Sequence, residues 1–150
     1  MARKKGSRDY PLKTKLEAIT GVENVYDYKR FCSDWATYKD LFVKDSKVNT
    51  WEIERKTFSR TGRGGSGAIE DITHEFIIRG FYSFYDTLES EKTFQNLVET
   101  ICADFIDDST ISGKAQMLQM PITGEFSTGK LGEVLCHIVE INITIVDRII

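Results

Sequence analysis

Two stretches of alternating residues flank the glycine-rich segment Thr61-Gly-Arg-Gly-Gly-Ser-Gly-Ala68, and this arrangement limits the chain more than any other feature. From Val48 to Arg60, Asn49, Trp51, Ile53 and Arg55 fall on one parity and Thr50, Glu52, Glu54 and Lys56 on the other. That period of two predicts a strand with one polar face. From Ile69 to Phe84, Ile72, His74, Phe76, Ile78 and Tyr82 share one parity, while Glu75, Ile77, Arg79 and Phe81 share the other. Apolar groups on both faces predict a central or twisted strand. The glycines between the strands bring no packing groups and free backbone choices, so residues 61 to 68 are predicted to be the tip of a long antiparallel hairpin.

The remaining elements follow from periodicity. Ser90 to Asp107 carries Phe94, Leu97, Val98, Ile101, Cys102, Phe105 and Ile106 on one helical stripe, with Ser90 as a candidate N-cap. A short amphipathic helix is predicted between Pro11 and Thr20 from Leu12, Leu16 and Ile19, ended by Gly21. Val25, Tyr26 and Tyr28 suggest a brief extended segment, and Phe31, Trp35, Tyr38 and Leu41/Phe42 predict a helix over 33 to 42. Ala115 to Ile122 reads as a strand that Pro121 confines to an edge or an end. Gly124 to Gly132 reads as a turn region. Val134 to Val146 reads as a long strand with Leu135, His137, Val139, Ile141, Ile143 and Ile145 on one face. The expected fold is α+β, a mainly antiparallel sheet with a long hairpin packed against two or three helices. Residues 1–8 are expected to be a flexible basic arm and 9–150 a single domain, a usual size for one core at a length of 150 residues.

Composition narrows the function classes. Residues 1–20 carry six Lys/Arg against Asp9 and Glu17, whereas the rest carries 14 basic and 21 acidic residues. An acidic body argues against a phosphate-binding surface spread over the fold. No stretch approaches the length of a membrane span, and the basic start is not followed by the apolar segment of a secretory signal. Three widely spaced cysteines, Cys32, Cys102 and Cys136, do not suggest a disulfide framework.

The chemistry-bearing residues are few. Two histidines stand 63 positions apart with no Cys-x-x-Cys, so neither a metal nor another cofactor is expected. Cys136 and His137 are neighbours in a strand and point to opposite faces, which rules them out as nucleophile and base. The glycine segment is followed by a strand, the wrong context for a phosphate cradle. Asp107 and Asp108 sit just past a helix, where a solvated terminus is the plain reading. A hydrolase would have only His74, His137 and that aspartate pair as acid-base groups, so the chain is read as a non-enzyme.

His74, Ile78-Arg79-Gly80-Phe81, Asp86, Ser90-Glu91, Phe94, Val98-Glu99, Ile101, Phe105, Leu135-Cys136-His137 and Glu140 form a spaced pattern. It resembles the tail terminator and tail completion proteins of long-tailed bacteriophages and their prophage relatives. The Asn24-Val25-Tyr26 segment and Trp35 to Phe42 are similar to the earlier part of such proteins. The resemblance implies a structural virion protein, made in the host cytoplasm, that forms a ring, usually of six, capping the tail tube. Its partners would be itself, the tail tube protein, the head-tail connector and DNA passing through the lumen, with no membrane.

Candidate ring contacts on the predicted hairpin are Trp51, Phe58, Arg60, Arg63, Gly64, Gly65, Arg79 and Phe81. Ordinary sheet packing is the competing reading of Trp51, Phe58 and Phe81. The alternative function is a nucleic-acid-binding or packaging accessory protein that uses Arg3, Lys4, Lys5 and Arg8 of the basic arm.

Overall fold

The computed structural model describes residues 12–27, 43–44, 47–63, 69–84, 89–107, 116–131 and 134–149. The predicted helix over 33 to 42, the tip residues 64 to 68 and the basic arm lie outside them. Among the described residues the fold is α+β and mostly sheet. Its elements are α1 (Leu12–Glu17), β1 (Asn24–Tyr26), β2 (Val43–Lys44), β3 (Lys47–Arg63), β4 (Ile69–Ser83), α2 (Ser90–Asp107), β5 (Gln116–Leu131) and β6 (Val134–Ile149). The sheet is mixed, in the order β1-β3-β4-β6-β5, with β2 also on β3. β1 runs parallel to β3 and every other pairing is antiparallel.

The alternation in sequence sets which face is buried. Trp51 and Ile53 of β3, Phe76 and Ile78 of β4, and Val139, Ile141, Ile143 and Ile145 of β6 form one apolar surface. Phe94, Leu97, Val98, Ile101 and Phe105 of α2 belong to the same core, as do Leu12, Leu16 and Ile19 from α1 and the turn after it. At about 1.5 to 3 kcal/mol for each large apolar side chain, as an upper estimate, the α2 stripe is a principal source of stability. Ile106 departs from the predicted stripe and is 46% exposed, because it stands about 100° around the helix from the buried Phe105.

α1 is shorter than predicted. Its chain leaves the helix through the bonds Ile19 N–H to Leu16 C=O and Val22 N–H to Ile19 C=O, both 3.2 Å, and then Gly21 at φ +101°. These i to i+3 bonds tighten the end of the helix and satisfy carbonyls that a longer helix would have used. Six helical residues are not stable alone. Burial of Leu12 and Leu16 holds them, together with Lys15, whose Nζ lies 3.1 Å from Asp104 of α2 and 5.5 Å from the centre of the Phe105 ring.

Two strand predictions need correction. Gly124 to Leu131 is not a turn but the second half of β5, which pairs with β6 from Thr123↔Asn142 to Leu131↔Val134. Glycine, serine and threonine suggested a turn, yet β6 needs a partner for its outer backbone groups and this segment supplies it. The pairing is interrupted only between Gln119 and Thr123, where Pro121 lacks an amide donor. β3 also carries burial on the face predicted to be polar, since Thr50 is fully buried and Glu52 is 5% exposed. β4 is central, paired with β3 on one side and β6 on the other.

One close approach fixes the middle of the sheet. Trp51 and Gly80 are directly opposite on β3 and β4, and a methyl group on Gly80 would stand 2.6 Å from Cε3 and Cη2 of the indole. Gly80→Ala is therefore expected to cost about 1 to 3 kcal/mol, as overpacking does. Urea unfolding checks this: the midpoint should fall with little change in slope. The pair Gly80→Ala with Trp51→Leu should lose less than the two single changes added together.

Candidate functional site

The sequence nominated surface residues on β3 and β4, and the sheet divides them between its two faces. Trp51 is not on a surface. It is fully buried, its ring 5.9 Å from that of Phe94, and its Nε1–H donates to Asn49 Oδ1 at 2.8 Å. Apolar size and a position opposite glycine drew it inward, so it cannot meet another copy of the folded chain.

Phe58 and Arg60 do lie together on the helix-bearing face, because they pair with His74 and Ile72. Phe58 is 61% exposed. The Arg55 guanidinium lies 5.5 Å from its ring centre, and Arg60 forms a two-pronged ion pair with Glu70. An irregularity between Arg55 and Thr57 adds one residue to β3 and brings Arg55 and Phe58 to the same face. Arg79 and Phe81 are on the opposite face. The Arg79 guanidinium bridges Glu54 on β3 and Glu140 on β6, the latter at 3.1 Å. Partial burial works against its charge, but those two hydrogen-bonded carboxylates outweigh it and raise its pKa. Arg63 is the last residue of β3, opposite Ile69, and Gly64 and Gly65 lie outside the described residues.

The sequence reading placed the first half of the outer strand, Ala115 to Ile122, and missed the second. Every described residue of β5 from Gln119 to Thr128 is exposed except Ile122, which is intermediate. Met117, Met120 and Phe126 are exposed at 66, 62 and 47%. Across the sheet, Arg55 to Gly62 of β3 is equally exposed. β1 covers only Thr50 to Glu52 and β2 only Lys47 and Val48, so among the described residues no strand pairs with the outer side of β3 beyond Glu52. None pairs with the outer side of β5. The alternation Gly124, Phe126, Thr128 against Thr123, Glu125, Ser127 was the available signal, masked by turn-forming residue types.

The acid-base groups are dispersed. His74 is opposite Ile145 and His137 opposite Tyr82, eight positions along β4, which is roughly 26 Å of strand. Asp107 ends α2 and is exposed, and Asp108 lies outside the described residues. Nothing in the order of residues announces that His137 Nε2 lies 2.8 Å from Ser90 Oγ, with Phe84 stacked on the imidazole at 4.2 Å. Both residues are buried. Burial lowers the His137 pKa and the nearby Glu91 charge opposes it. Cys136 points away from His137, and burial pushes its thiol up to about 11.

A cleft of about 250 Å³ lies beside Ser90, lined by Lys47, Asn49, Tyr82, Ser83 and Thr93 among others. Its polar groups serve the fold. Ser83 Oγ binds both the amide and the carbonyl of Val48. Asn49 donates to Gly21 C=O at 2.6 Å while its Oδ1 accepts from Glu23 N–H and Trp51. Among the described residues no group of three or more His, Cys, Asp or Glu could hold a metal ion, and no helix is long and apolar enough to cross a membrane. No protein-family model matches the chain, and no curated protein matches it.

His74 gives a test of the buried face. Burial, and then the Arg55 charge, push its pKa down from 6.5 to about 4. The unfolded chain therefore takes up the proton first as pH falls. The stabilisation is complete above about 6.5 and lost as pH drops towards 4, amounting to about 3 kcal/mol. Comparing the chain with His74→Leu by urea unfolding at pH 7 and 4.5 should show a clearly flatter pH dependence in the variant. Parallel profiles would contradict this.

Proposed function

We propose that the chain is a structural assembly subunit, a tail terminator that forms a ring on the tail tube of a long-tailed phage and joins it to the head connector. The carrying observation is the pair of long exposed strands at opposite sides of one sheet, Arg55 to Gly62 of β3 and Gln119 to Thr128 of β5. Strands of that length left open offer backbone donors and acceptors to another chain. Two different exposed sides also suit head-to-tail contacts, which close into a ring when the rotation per copy completes a circle. The spaced pattern from His74 to Glu140 supports the tail assignment within that class. In this reading β3 and β4 act as one long hairpin whose glycine tip meets a neighbour, and the helices pack behind it. Function lies in contacts between proteins, with the tail tube protein, the connector and DNA in the lumen as partners and the virion as destination.

Electron microscopy of the purified protein should show rings with a central hole, and added protein should bind the ends of tail tubes. Sedimentation giving monomer at every concentration, with no binding to tubes, would sink the proposal.

A further inference from the structure

We propose that the Thr123–Leu131 half of β5 is the receiving surface for the Arg55–Arg63 half of β3 from a second copy, the two strands pairing antiparallel edge to edge. This inference rests on the assembly reading above and specifies its contact. Three observations choose this occupant.

Charge is the first. Residues 55 to 63 carry Arg55, Lys56, Arg60 and Arg63 with no acidic residue. Residues 123 to 131 carry Glu125 and Lys130 and so have no net charge, and Glu125 is directly opposite Glu140 of β6. Two β3 edges would bring two basic runs together, whereas a β3 edge against the uncharged β5 edge brings no such run against it, and like charges placed side by side select against wrong pairings.

The second is apolar complementarity. Each edge carries an exposed phenylalanine, Phe58 on β3 and Phe126 on β5. Both are on the helix-bearing face, since Phe58 pairs with His74 and Phe126 with Val139. Third, the strand directions fit. β5 is antiparallel to β6, β6 to β4 and β4 to β3, so β3 and β5 run oppositely. A neighbour related by rotation about a ring axis along the strands keeps its direction. Its β3 then arrives antiparallel to β5 with the same face outward.

Placing Phe126 opposite Phe58 of the next copy puts Gly124 opposite Arg60 on the helix-bearing face. On the other face Glu125 comes opposite Ser59, and Ser127 opposite Thr57. Every side chain then keeps its face. Directly opposite residues have Cβ atoms about 4.5 to 5.5 Å apart, close enough for an engineered disulfide to form with small adjustment.

The test mixes two full-length variants of different tag size, Ser59→Cys and Glu125→Cys, under mild oxidation beside the unsubstituted chain. The expected result is a mixed disulfide of the two chains, absent when either variant or the parent is oxidised alone. Phe58→Lys, at an exposed position, should weaken self-association at least tenfold in sedimentation while leaving the melting curve close to that of the parent, and Phe126→Lys should weaken it as much with some loss of melting temperature, because the Phe126 ring also meets that of Phe94 edge-on at 6.1 Å. Assembly without the mixed disulfide overturns the contact and leaves the assembly reading standing. Disulfides of Glu125→Cys with itself overturn the head-to-tail pairing in favour of a two-fold one. A monomer at all concentrations overturns both.

Discussion

The indole of Trp51 lying over Gly80 is the contact on which the rest of the fold depends. It joins β3 to β4, the strand at the centre of the sheet. Its far side meets Phe94 of α2, and its Nε1–H reaches Asn49, which in turn holds the carbonyl of Gly21 and the amide of Glu23. One side chain thus connects β3, β4, α2 and the turn that leads from α1 to β1. The arrangement is demanding, because it needs glycine opposite tryptophan and a short amide two residues before it. Burial of a full indole rewards it with one of the largest apolar contributions available to a single residue.

With that centre fixed, the sheet has little freedom elsewhere. Side chains alternate, so the register set by Trp51↔Gly80 carries Ile53↔Ile78 into the core and Glu54 and Arg79 onto the opposite face. Arg79 can then bridge Glu54 and Glu140 across three strands. The irregularity after Arg55 changes which residues face the helices, and this is why Phe58 and Arg60, of the opposite parity to Ile53 in sequence, end on the same face. A one-residue insertion converts a continuation of the polar face into an exposed aromatic flanked by arginines.

What could be read in the sequence was the part governed by periodicity. α2 runs from the predicted cap Ser90 to Asp107 and buries its stripe from Phe94 to Phe105, and the faces of β4 and β6 follow their alternation. Three features escaped. The bulge at Arg55 leaves no trace in residue type, so the face of Phe58 could not be deduced. Gly124 to Leu131 resembles a turn because an exposed edge strand need not carry the alternating apolar residues that announce a buried one. Trp51 was nominated as a contact because an aromatic residue on a half-polar strand looks outward until the glycine opposite is recognised. Ser90 and His137, 47 residues apart, met only through the docking of α2 on the sheet.

Among the described residues, β3 beyond Glu52 and β5 each have one side with no strand partner, a situation that needs restraint against unlimited association. Uncharged strand edges invite any other edge, and proteins restrain them with lysine or arginine, bulges and proline. β3 has the first two of these, in Arg55, Lys56 and Arg60 and in the extra residue beside them. β5 has Pro121 in its irregular middle and Glu125 beyond it. The basic run on β3 therefore guards that edge against a copy of itself, while Glu125 and Lys130 leave β5 without net charge. In the pairing proposed above, repulsion between basic runs would reject the wrong partner and the two phenylalanines would supply the apolar contact.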